Sequence, residues 1–312
     1  MQIKKYLRII GLILFIYILY KINLKELFFT LKRINFYYFL LALIFWFFSV
    51  LLKVFKWKIL VESQNIKVSL TTLFKISLKG IYLGTITPGK LGEFWKAKYL
   101  VDQAEISNGE AFYTTLMDRI IDLITIISIG LISILLLFLF YRIKIGWMVI
   151  SSILIFSILT TYFLIKKENT KELLKFLIKI FLPSSQNEKI NSFLDEFFEG
   201  LKKLNHLLFL KLLAYGLGYY SVAVLVNYFI ILSLGMSIPF WYLFLILALI
   251  WLILTLPTTI LGLGTREASY IFFFSIFGVA PYQTVAFSLL ILFCDILVAI
   301  PGMVLFFKNN IK

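Results

Sequence analysis

The sequence predicts an all-α fold: a polytopic helical integral membrane protein of about seven to eight spans, plus two broken or re-entrant helices in a degenerate internal repeat. Three observations carry that prediction. Hydrophobic residues make up 61% of the 312 positions and aromatics 18%, against roughly 45–50% apolar residues in a soluble domain. Only 15% are charged and the mean hydropathy is +0.96. Apolar runs of roughly 20 residues, the length that crosses a ~30 Å hydrocarbon core, recur along the chain.

The first run, 5–22, follows a basic start, MQIKKYLRIIGLILFIYILYK. No small-residue cleavage site follows it, since Tyr20, Lys21 and Ile22 occupy that place, so it reads as a retained first helix rather than a signal peptide. Further spans are expected at 36–54, 118–140, 146–165, 208–234, 238–256 and 283–306. Segments 70–100 and 257–280 are apolar but interrupted by glycine, proline and charge, the pattern of a broken helix. All of this is read as one transmembrane domain, 1–312, with a polar connection at 166–206 inside it. In that connection, KELLKFLIKIF and INSFLDEFFEGLKKL place apolar residues at helical spacing between charges, which predicts amphipathic helices at the membrane surface joined by an LPSSQN turn.

Charge sets the orientation and excludes some functions. The formal net charge is +15, but the lysines stand at the ends of apolar runs. That pattern suits anionic lipid headgroups, each juxtamembrane cation adding ~1 kcal/mol, and argues against a nucleic-acid partner. The basic connection 166–206 and the basic stretch 53–79 contrast with the uncharged turn 235–239, so the N-terminus and 166–206 are expected to face the cytoplasm of a cell membrane. Lys56 and Lys58 beside Trp57 read as interfacial anchors. Cys294, the single cysteine, reads as a buried hydrophobe, and His206, the single histidine, as an interfacial residue. No metal cluster, serine–histidine pair, cofactor signature or nucleotide-binding loop is evident, so no enzymatic activity and no cofactor are expected.

The two interruptions hold the candidate site. The first, LGTITPGKLGEFWKAKYL, contains Pro88, Gly89, Gly92, Glu93 and Lys96; the second, LPTTILGLGTREASYIFFFSIFG, contains Gly262, Gly264, Arg266 and Glu267. Within hydrocarbon, helix breakers are tolerated only where the freed backbone groups face protein or a wet cavity. Ionisable residues at that depth face the interior and mark substrate or ion pathways. Downstream of each break stand further charges in apolar surroundings: Asp118, Arg119 and Asp122 in MDRIIDL, and Asp295 in FCDIL. Pairing Glu93 with Glu267 and Asp118 with Asp295 suggests the repeat. Interrupted helices in corresponding positions of two halves point to a transporter's binding site. Their free N-termini suit an anionic group such as phosphate.

GTITPGKLGEFWKAKYL, DRIIDL and LPTTILGLGTREA together resemble the signature of the lysylphosphatidylglycerol synthase transmembrane region, the flippase-like domain family, over most of the chain. The resemblance implies a protein related to the lipid-translocating half of the multiple peptide resistance factor. It places the family's Gly-Glu on Gly92 and Glu93, and its Gly-x-Gly-x-Arg-Glu on Gly262, Gly264, Arg266 and Glu267. Lys96 stands where arginine is expected, which keeps the charge but loses the planar fork. Bifunctional family members carry a further soluble aminoacyl-transferase domain; this sequence stops at Lys312, so it is not expected to make an aminoacyl lipid alone. The expected function is translocation of an anionic phospholipid or a polyprenyl-phosphate-linked sugar between leaflets. The two breaks would then meet in one polar cavity, with Lys96, Arg119 and Arg266 holding the phosphate and the acids pairing with them when it is empty. The alternative is a non-transporting accessory subunit partnering a lipid-modifying enzyme or glycosyltransferase; a homo-oligomer is compatible with either.

Overall fold

The computed structural model describes residues 3–142, 187–255, 259 and 261–310. Among them are eleven α-helices and no strands: α1 (Ile3–Lys21), α2 (Leu24–Lys32), α3 (Phe36–Ser63), α4 (Leu70–Thr85), α5 (Trp95–Ala104), α6 (Asn108–Tyr141), α7 (Asn187–Lys202), α8 (His206–Ser233), α9 (Phe240–Thr255), α10 (Thr265–Phe274) and α11 (Pro281–Asn310). Four of these, α3, α6, α8 and α11, are long and apolar enough to cross a membrane. The span expected at 146–165 and the segment KELLKFLIKIF lie outside the described residues.

Local chemistry sets the helix starts. Asn23, Asn35, Ser69, Ser107 and Asn205 each precede a helix and accept a hydrogen bond from backbone N–H groups of its first turn, satisfying donors that have no partner within the helix. α3 runs on to Ser63, past the boundary expected at 54, because Lys53 and Lys56 find carboxylate partners instead of water. α6 begins at Asn108 rather than 118.

The second interruption is organised differently from the sequence expectation. α9 has 16 residues, about 24 Å at 1.5 Å per residue, short of the ~30 Å hydrocarbon thickness. It is therefore one limb of an interrupted unit with α10 rather than an independent span at 238–256. The first break has the same plan, with 16 residues in α4 and 10 in α5.

The internal repeat has a defined register. Starts at 36, 70 and 95 recur at 206, 240 and 265, a constant offset of 170 residues. The same offset relates the caps Asn35 and Asn205, and Ser63 and Ser233, whose hydroxyls each donate three residues back. It also relates the positive-φ residues Asn65 and Gly235, and Gly92 and Gly262. Lys96 therefore corresponds to Arg266, and Glu93 to Leu263. This corrects the Glu93–Glu267 pairing: Glu93 lies before its helix and Glu267 inside the first turn of its own.

The halves are packed through each other. α3 lies against α8, α4 of the first half lies against α11 of the second, and α9 of the second lies against α6 of the first. Glycines permit the close approaches: a Cβ on Gly302 would stand 2.0 Å from the Leu78 carbonyl oxygen, and one on Gly130 2.9 Å from a Leu252 methyl. One hydrophobic core gathers around α8–α11, the other around α3–α7. α7 belongs to the second of these, with Leu194, Phe197, Phe198 and Leu201 buried and Phe197 edge-on to Tyr113. Its apolar face thus covers protein rather than lipid, and the carboxylate of Glu196 accepts from Gly109 N (3.1 Å) at the start of α6.

Candidate functional site: an ionic cluster at the first broken helix

The first break follows from its residues. α4 ends at Thr85, and Pro88 opens a 3-10 helix, Pro88–Phe94, in which Gly89 and Lys90 adopt φ of 61° and 56°. Thr87 ties the turn together, its hydroxyl donating to Leu83 O (2.8 Å) and accepting from Gly92 N (2.7 Å). Gly92 is required here because a Cβ would stand 2.1 Å from the Leu83 carbonyl oxygen. This fold-back delivers Glu93 and Lys96 to the faces of α3 and α6.

Two linked groups of charges result. Lys53 on α3 donates to both oxygens of Glu93, at 2.9 and 3.2 Å, and Arg119 on α6 pairs with the same carboxylate. Deeper in, Asp118 is held by Lys96 (2.8 Å) and Lys56 (3.0 Å), and Lys56 also pairs with Asp122. Lys96 lies over the Trp57 ring, 4.6 Å from its centroid, and the indole N–H donates to Thr114 Oγ1 (3.3 Å). Asp118 is 0% and Lys56 1% exposed, against 12% for Lys53 and 21% for Arg119. Lys53, Glu93 and Lys96 border a narrow gap, too small for a water, together with Val50, Val54, Ser77 and Ile81.

The second break closes on itself. Arg266 donates through Nε to Ser288 Oγ (2.8 Å) and through a terminal nitrogen to Glu267 Oε1 (3.2 Å). Ser288 donates to the same oxygen at 2.5 Å. The other oxygen of Glu267 accepts from Gly264 N (2.6 Å), so the N-terminus of α10 is already capped by a carboxylate of its own first turn. Gly264, at φ 81°, lies so close to α1 that a Cβ would stand 2.3 Å from the Gly11 carbonyl oxygen. α5 has no such side-chain cap.

The structure therefore brings Glu93, Lys96, Asp118, Arg119 and Asp122 together, with Pro88, Gly89 and Gly92 forming the turn that delivers them. Gly262, Gly264, Arg266 and Glu267 form a separate group. Among the described residues no ion pair within 4 Å joins the two groups. Asp295, half-buried on α11, forms no ion pair within 4 Å among the described residues; it lies within electrostatic reach of Lys90, Arg266 and Lys53.

Lys53 and Lys56 are site residues that the sequence reading missed. Lys58 stands outside the cluster, paired four residues on with Glu62. A signal for the other two exists in complementary spacing: Lys53 and Lys56 lie three apart on one helix and Asp118 and Asp122 four apart on another, so each pair shares a face. Tyr219 on α8 also lies within electrostatic reach of the cluster.

Among proteins of known sequence, a UPF0104 membrane protein of Pyrococcus horikoshii is 30% identical, with 76% of each chain covered. A UPF0104 membrane protein of Methanocaldococcus jannaschii is 25% identical over 91% of this chain and 88% of its own. No solved structure matches. Residues 6–302, which contain both breaks and the whole ionic cluster, match the lysylphosphatidylglycerol synthase TM region, and the chain belongs to that family.

Proposed function

We propose that this protein moves a lipid with an anionic headgroup, a phospholipid or a polyprenyl-phosphate-linked sugar, between the leaflets of the cell membrane. The observation that carries the reading is the buried ionic cluster at the fold-back between α4 and α5, whose Lys53, Glu93 and Lys96 stand beside the apolar side chains of Val50, Val54 and Ile81. A headgroup would exchange with the internal ion pairs while its tails remain against α3 and α4. Such exchange needs no covalent chemistry, so the chain acts as a translocator rather than an enzyme. In this reading the N-terminus and the 166–206 connection face the cytoplasm.

The test is leaflet exchange in liposomes by the purified protein, with labelled phospholipids and polyprenyl-phosphate sugars, for the wild type and for Glu93→Ala and Arg119→Ala. The expected result is accelerated exchange of one lipid class, lost in both variants while they remain membrane-inserted. Normal exchange by both variants refutes the assignment of the site. No exchange of any lipid by the wild type moves the reading to an accessory subunit.

A further inference from the structure

The ionic cluster does not have equal numbers of charges, and the imbalance is localised. Lys96, Asp118, Lys56 and Asp122 form a chain with two cations and two acids, all linked internally. Lys53, Glu93 and Arg119 form a triad with two cations on one acid. Lys90 and Asp295, which lie within electrostatic reach of Lys53, add one charge of each sign, so the surplus of one positive charge stands, and it falls on the triad side of the cluster. Lys53 and Arg119 are also the more exposed cations, at 12% and 21%, against 1% for Lys56 and 2% for Lys96. Either can leave Glu93 without stranding the carboxylate, because the other remains. Lys53 and Glu93 line the same narrow gap, together with Lys96 of the other group.

The repeat distinguishes a ligand site from a device of the fold. At the offset of 170, Lys53 corresponds to Ala223 and Glu93 to Leu263, and the stretch of α11 corresponding to Arg119, Leu289–Leu292, is wholly apolar. The second half makes the same long helix, short helix and break without any of the three ions. The triad is thus not part of what the two halves share and is confined to one of them.

We propose that Lys53, Glu93 and Arg119 form a binding centre for a single net negative charge, and that its ligand is a phosphodiester headgroup rather than a phosphomonoester. This rests on the lipid-headgroup reading above and narrows it. A diester carries one negative charge near neutral pH and neutralises the surplus; a monoester carries about −1.5 to −2 and overshoots it in a poorly solvated site, where unpaired charge is costly. Phosphatidylglycerol and polyprenyl phosphosugars share the diester chemistry; phosphatidic acid and polyprenyl phosphates do not.

The experiment is equilibrium binding of radiolabelled lipids to the purified protein in nanodiscs of phosphatidylcholine, which requires no transport. Probes are phosphatidylglycerol, a polyprenyl phosphosugar and phosphatidic acid, and the two diesters separate the lipid sources. Wild type should prefer a diester over phosphatidic acid by more than about ten-fold. Lys53→Met, with no surplus charge, should lose that binding by a similar factor. Glu93→Gln, with a surplus of two, should shift preference to phosphatidic acid. The double variant Lys53→Met/Glu93→Gln returns the surplus to one and should restore diester binding, which separates charge matching from a folding defect. Unchanged diester binding by Lys53→Met, or a wild-type preference for phosphatidic acid, overturns the proposal. Diester binding that follows this pattern without leaflet exchange leaves the proposal standing and removes translocation; leaflet exchange indifferent to all three variants does the reverse.

Discussion

Replacing Asp118 with asparagine should destabilise the protein far more than replacing Lys53 with methionine. Asp118 is fully buried, with lysine nitrogens at 2.8 and 3.0 Å. At an effective dielectric constant of about 20, each contact is worth roughly 6 kcal/mol of gross Coulomb attraction, largely offset by desolvation of the ions. Removing the acid leaves Lys96 with no ion pair within 4 Å among the described residues and Lys56 with only Asp122, and breaking a buried pair in this way costs about 3–5 kcal/mol. Lys53, by contrast, is partly solvated, and Glu93 keeps Arg119 when Lys53 is lost; the expected cost is below about 1 kcal/mol. Thermal unfolding in detergent, followed by tryptophan fluorescence, reads the difference. Asp118→Asn should lower the midpoint by about 10 °C and Lys53→Met by no more than about 3 °C. Equal shifts would refute the division of the cluster into a structural chain and an exchangeable triad.

Glycine at the helix crossings gives a paired prediction. Gly302→Val should lower the melting temperature sharply, by overpacking on the order of 1–3 kcal/mol or more, because its side chain meets the Leu78 carbonyl. Gly218→Ala, with nothing within 4 Å of the added Cβ, should leave it unchanged or raise it slightly. Glu196→Ala should release the Gly109 N–H at the start of α6 and cost about 1 kcal/mol, read by the same melting assay together with faster hydrogen exchange over residues 108–111.

Class, helical content and the two breaks were legible because each rests on local information: run length, composition, and helix breakers where hydrocarbon forbids free backbone groups. What local sequence could not reveal is partnership. Lys56 looks like the end of a span until Asp118 and Asp122, more than sixty residues away, are placed beside it. The apolar stripe of α7 has the same pattern whether it meets lipid or α6. Conspicuous charge also misdirected the repeat: two glutamates near two glycine-rich breaks invite pairing, whereas the true register runs through quieter residues such as Asn35 and Asn205, Ser63 and Ser233. Glu267 serves as a cap, a role its sequence context allowed but did not distinguish from substrate binding.

The exchange of limbs between the halves has a consequence for how the protein is made. α4 is one of the earlier helices to leave the ribosome, yet its packing partner is α11, about two hundred residues further along the chain. The face of α4 that α11 covers therefore has no protein partner until the last helix is made. Loss of α11 during synthesis should accordingly expose the first half to membrane proteolysis as well as removing the second.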